Sequence, residues 1–172
     1  EIYEKIIYGK KHYSPGAFSD NVITLNGFSK AYAMTGIRIG YINASERFNE
    51  ELLKIHQYCT ACANSIGQMG ALEALRGPQD SVKNMVNEFE KRRNLIVKRL
   101  KEMGYTCSKP EGAFYVYPEI ENPLEFVSKA ADAGVITVPG LPFGANGEKH
   151  IRMSYANSYE NIAKAMDILE EV

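Results

Sequence analysis

Asn26–Asn43 reads NGFSKAYAMTGIRIGYIN. The run leading into it, VITLNGF (Val22–Phe28), reads as a short buried strand, and IRIGYIN (Ile37–Asn43) as a second. Lys30 sits just past the first strand, and Arg38 sits inside the second. Flanked by Ile37 and Ile39, Arg38 points to the opposite face from both, and Gly40 leaves room beside it. If that face is covered, the guanidinium requires an anion, because an unpaired buried charge is costly. Its planar fork suits phosphate or carboxylate. Arg152, between Ile151 and Met153, repeats the pattern, with Ser154 on its face and the loop PGLPFGANG (Pro139–Gly147) before it. A solvent-facing arginine on a half-exposed sheet explains either one alone as well as a binding role does.

Lys30 is not a P-loop lysine, since the G-x-x-x-x-G-K-[ST] order is absent and the serine precedes the lysine. A lysine after a strand is usually a surface lysine. Near an anion-binding arginine, or desolvated, its pKa falls and its amine becomes a nucleophile or base. That chemistry suits a Schiff base with an aldehyde, and an aldehyde cofactor that also carries a phosphate is pyridoxal phosphate.

Working outward, Ser45 is the expected cap of a helix with the apolar stripe Phe48, Leu52, Ile55 and Cys59. Ser65 and Gln68 suggest a capping box for a helix carrying Met69, Leu72 and Leu75. GPQD (Gly77–Asp80) breaks the pattern and marks a domain hinge. A long helix is expected over 81–103, with Val82, Met85, Val86, Phe89, Ile96, Leu100 and Met103 on one face and Gly104 as its stop. Strands are expected at 105–108, 113–117, 135–138 and 150–154. Between them lies a helix with Asn122 at the cap, Pro123 at its first position and Glu125 closing the box. A last helix begins near Ser158 and buries Ile162, Met166 and Leu169. This order predicts α/β organisation that becomes α+β in the C-terminal part, with helices over a small, mostly antiparallel sheet.

The 172 residues carry a formal net charge of -1, so no broad basic field invites nucleic acid. The clusters Lys10–His12 and Glu90–Arg93 read as solvated surface. No apolar span is long enough for a transmembrane helix. Three cysteines argue against a disulfide scaffold and for a reducing compartment. Cys59 and Cys62 have C-x-x-C spacing, that of half a zinc site or a thioredoxin-like pair, but they read as ordinary buried thiols, and no metal site is expected.

At these residues the sequence resembles class I/II aminotransferases, the fold-type I pyridoxal-phosphate enzymes. GFSKAYAMTGIRIGY resembles the family's cofactor-lysine segment; EIYEKIIY, EGAFYVYP and VPGLPFGANGEKHIRMSYA resemble further family segments, so the likeness covers essentially the whole chain. The resemblance implies a C-terminal portion: residues 1–77 as the last part of the large cofactor domain and 78–172 as the small domain. It implies pyridoxal 5'-phosphate as cofactor and Lys30 as the Schiff-base lysine that also shuttles a proton. Arg38 matches the phosphate-binding arginine, and Tyr3 the phenol beside the pyridine 3′-oxygen. Arg152 matches the clamp on the substrate α-carboxylate. Ser29 and Phe114 match positions lining the site, and Asn64 and Ser65 match positions reaching toward a neighbouring subunit's cofactor. Gly27 stands where some relatives have a phosphate-binding serine. The family's pyridinium-pairing aspartate and Gly-rich phosphate loop would lie before Glu1.

The function implied is amino-group transfer between an L-amino acid, aspartate-type or broad, and a 2-oxo acid, in a cytoplasmic homodimer with shared active sites. The chain alone is expected to be inactive. A β-lyase or synthase of the same fold is the alternative within enzymes. The aminotransferase-like sensor domain of a transcriptional regulator is the alternative outside them.

Overall fold

A computed structural model describes residues 1–172, which form two compact units, Glu1–Val86 and Asn87–Val172. In the first, β1 (Thr24–Gly27) and β2 (Gly40–Asn43) pair antiparallel, Thr24 opposite Asn43 and Gly27 opposite Gly40. The strands are shorter than the sequence suggests. The second begins at Gly40, because Thr35–Ile37 is a 3-10 turn and Arg38 is left-handed, with φ 57° and ψ 51°. Two glycines end the ladder for a steric reason: a Cβ on Gly40 would lie 2.9 Å from Asn26 O.

Two helices follow, α1 (Glu46–Thr60) and α2 (Ser65–Arg76). Phe28, Ile39 and Ala71 form a buried cluster, with Tyr32, Met34, Ala63 and Ala74 packed against it. The expected stripes of α1 and α2 are not buried within this unit. Ile55, Met69 and Leu75 are exposed, and no residue of α1 is buried. Leu52, Leu53, Leu72 and Leu75 instead line an open, largely apolar groove of ≈ 1120 Å³ with Leu25 and Ile42 of the sheet. Periodicity identifies an apolar face; it does not supply what covers it.

The caps of both helices differ from expectation. Ser45 sits at the start of α1, but its hydroxyl donates to Asp20 O at 2.9 Å. Asn64, not Ser65, caps α2: its Oδ1 accepts from Gly67 N at 2.6 Å, and Gln68 Nε2 reaches back to Ala63 O at 2.8 Å. Gly67 is required there, since a Cβ would lie 2.7 Å from Asn64 Oδ1.

The long helix α3 runs Asp80–Glu102 and ends at Gly104, whose φ of +85° only glycine adopts freely. Its later turns bury Ile96, Val97 and Leu100 in the second unit. Arg93, read from sequence as a solvated cation, is 4% exposed, and its guanidinium donates to Pro110 O and to the Glu90 carboxylate. The expected strand at 105–108 is irregular backbone, joined to its neighbour by Glu119 N donating to Thr106 O.

The second unit's sheet is β3 (Tyr115–Val116), β5 (Ile151–Ser154) and β4 (Val138–Pro139), antiparallel in that spatial order. Between β3 and β4 lies α4 (Pro123–Asp132); Asn122 precedes it without a side-chain cap bond, and Glu125 pairs with Lys129 instead of closing a box. The last helix, α5 (Tyr159–Leu169), has Ser158 Oγ accepting from Asn161 N and buries Ile162, Met166 and Leu169, as its spacing predicts. Each fully buried side chain of this size contributes roughly 1.5–3 kcal/mol.

Candidate active site

The connection between β1 and β2 is a closed loop. Phe28 N donates to Ile39 O at 3.3 Å, and Phe28 O accepts from both Tyr32 N and Met34 N. Phe28, Ala31 and Ile39 are buried and anchor it; Ser29 and Lys30, between two of the anchors, are half-buried. Lys30 O accepts from Ala33 N at 3.2 Å, which fixes the turn that carries the lysine. From α2, Asn64 Nδ2 donates to Ile37 O at 3.1 Å and pins the far leg. Two non-glycine residues of the loop, Ala33 and Arg38, have positive φ, a strained conformation that surrounding packing must impose.

Lys30 and Arg38 therefore stand on the incoming and outgoing legs of one hydrogen-bonded loop. The alternation argument for Arg38 does not hold, because it precedes the strand in left-handed backbone and is exposed. Its Nη1 donates to Thr35 O at 2.8 Å. A guanidinium has five N–H donors, so others remain for an anion. Tyr3 is half-buried in a turn at the chain start, closed by Ile6 N donating to Tyr3 O. That segment lies along β1, where Glu1 N donates to Leu25 O. Asn64 is occupied as a cap and loop brace, and Ser65 is the first residue of α2.

Arg152, on β5 opposite Val138, belongs to the second unit. Its guanidinium carbon lies 4.7 Å from the Tyr115 ring centroid and 4.3 Å from that of Phe143. Phe114 is 8% exposed, with its ring against Phe89 and Tyr115 in the core. The aromatic side chains on Arg152 are thus Tyr115 and Phe143, which sequence reasoning missed. A signal existed for Tyr115: it pairs with Ser154 in register, so strand alternation puts it on the face of Arg152.

Other chemistry-bearing groups stand apart. Cys59 and Cys62 are exposed, contrary to the reading of buried thiols, and Cys107 is buried, which raises its thiol pKa. Glu1, Glu4 and His12 bring ligand atoms within 4.8 Å of one another. The Glu1 carboxylate is held by His12 and Ser14, whose hydrogen bonds lower its pKa. No helix is long and apolar enough to cross a membrane.

The sequence model of aminotransferase class I and II matches residues 1–169. A probable aspartate aminotransferase of Methanocaldococcus jannaschii is 50% identical over 100% of this chain and 48% of its own length. Aromatic-amino-acid aminotransferase 2 of Thermococcus litoralis is 41% identical over 100% of this chain and 47% of its own length. A crystal structure from Methanococcus jannaschii, described as similar in its active site to kynurenine aminotransferases, superposes with a TM-score of 0.94. It is 41% identical and covers 99% of this chain and 48% of that one. The chain spans about half the length of the relatives it matches. These relatives carry aminotransferase names, so the lyase, synthase and sensor-domain alternatives are not favoured.

Proposed function

This chain belongs to the class I and II aminotransferases, and on that premise we propose that it supplies the lysine and two arginines of a pyridoxal-phosphate-dependent aminotransferase. The enzyme moves an amino group between an L-amino acid, aspartate-type or broad, and a 2-oxo acid. The observation that carries this reading is the placement of Lys30 and Arg38 on one closed loop. The donor set fits the cofactor: an amine for its aldehyde, a guanidinium with remaining donors for its phosphate, and the Tyr3 phenol for its ring oxygen. When bound, pyridoxal phosphate supplies an aldehyde that condenses with amines and a ring that delocalises the electron pair left at a substrate α-carbon.

This chain's side chains do the rest. Arg38 holds the phosphate, and Lys30 accepts the proton from the substrate α-carbon and returns it as an acid. Arg152 receives the α-carboxylate edge-on, as a fork. Ser29 flanks the lysine, and Phe114 backs the Arg152 face through Tyr115. The hinge at Gly77 as boundary between cofactor domain and small domain belongs to the same proposal, as do a homodimer with shared sites and a cytoplasmic location, which free cysteines support.

Borohydride reduction of the intact enzyme with cofactor bound, followed by peptide mapping, tests the reading. Label at Lys30 is expected, and label on a different lysine refutes it.

A further inference from the structure

We propose that Phe143 and Tyr115 form an aromatic clamp on Arg152, with Phe143 as a positioning residue that orients the guanidinium toward an incoming carboxylate. This rests on the reading of Arg152 as the carboxylate anchor.

The guanidinium carbon lies within 5 Å of both ring centroids, 4.3 Å from Phe143 and 4.7 Å from Tyr115. No carboxylate of the chain forms an ion pair with it, so the rings are its described partners. A cation over an aromatic face is attracted by the ring quadrupole. With rings against it, the guanidinium loses rotational freedom while its in-plane N–H donors stay available. Pre-orientation of this kind lowers the ordering cost of binding a planar anion.

Phe143 is held for this task. It is 50% exposed, so core packing does not account for its position. It ends a 3-10 turn, Leu141–Phe143, in the loop between β4 and β5. Gly140 N donates to His150 O, and Tyr117 Oη donates to Gly140 O at 3.0 Å, which ties the loop's base. Gly140 and Gly147 pack so closely that a Cβ on either would overlap the other's carbonyl oxygen. The Tyr117 ring stacks on His150 at 4.8 Å and meets Phe143 edge-on at 6.5 Å. A train of rings thus runs from the loop's base through Tyr117 to Phe143 and then to the guanidinium.

The test uses the ¹⁵N-labelled intact enzyme. The Arg152 Nε–H resonance is assigned by its loss in Arg152→Lys. It is expected upfield of the other arginines from ring currents, to move back in Phe143→Leu and to stay in Phe143→Tyr. Maleate, a rigid dicarboxylate, is then titrated against that resonance. Phe143→Leu is expected to weaken its apparent Kd about three- to thirtyfold, and Phe143→Tyr to restore it. Should Phe143→Leu fail to fold, Phe143→Met gives the same comparison by keeping volume without the ring. A resonance that responds to maleate with the same Kd in the Leu or Met variant overturns the clamp alone. A ring-shifted resonance that ignores maleate overturns the anchor reading, and the clamp's role with it.

Discussion

Arg38 combines an unfavourable backbone with an exposed cation. Left-handed φ at a residue with a Cβ costs roughly 1–2 kcal/mol, which glycine avoids. Glycine loses about 0.5–1 kcal/mol of that advantage through its freer unfolded chain. Arg38→Gly is therefore expected to leave stability unchanged or raise it by at most about 1.5 kcal/mol. In the intact enzyme it should raise the Kd for pyridoxal phosphate about tenfold or more, through lost charge-assisted bonds. Denaturation and cofactor titration of the same variant check the two halves; undiminished cofactor affinity would remove Arg38 from the phosphate site. Arg152 makes the complementary case. Lysine keeps the charge but not the fork or the stacking plane, so Arg152→Lys should lower kcat/KM for amino acids by about 2 kcal/mol, mostly through KM. Steady-state kinetics unchanged by the substitution would sink that role.

At the scale of elements, the loop from Phe28 to Ile39 depends on the start of α2. Asn64 caps the helix with its oxygen and braces Ile37 O with its nitrogen. Asn64→Ala should cost about 1 kcal/mol and speed amide exchange at Gly67, while Ser65→Ala should do little, being already inside the helix. Equal effects from the two substitutions would contradict the capping geometry. The same elements show what the sequence could carry. Lys30 and Arg38 were legible together because their separation along a short segment is covalent. The backbone of Arg38 was not: alternation assumes extended geometry, and left-handed φ at a non-glycine residue leaves no local mark. Ser65 drew the cap assignment because Ser-x-x-Gln is a strong pattern, yet Asn64 is an equally good cap one step earlier. Helix α5 was read correctly because its cap and its core face agree. Tyr115 and Phe143 escaped because the register that aims them at Arg152 joins segments far apart in sequence.

At the scale of the whole molecule, the question is what the 172-residue chain does by itself. Its first unit has a two-stranded sheet, and such a sheet is marginal in water without further strands or a packed face. The face that could be packed is open: Leu25, Ile42, Leu52 and Leu72 border a groove instead of a core. The loop carrying Lys30 hangs from this sheet, so its geometry is no firmer than the sheet. Arg38 is the phosphate-binding cation proposed in this unit, and one of its donors is held by Thr35 O. The N-terminus of α2 is no substitute, because Asn64 Oδ1 already takes the Gly67 N–H. A phosphate that meets one exposed, partly engaged guanidinium gains little beyond a surface ion pair. We therefore expect the isolated chain to bind pyridoxal phosphate weakly and to turn over no amino acid. Titration with cofactor, followed by absorbance of the lysine adduct and by an amino-acid half-reaction, decides this. Stoichiometric binding with turnover would mean that the two strands and their loop are rigid enough alone to hold the amine and phosphate-binding groups in working geometry.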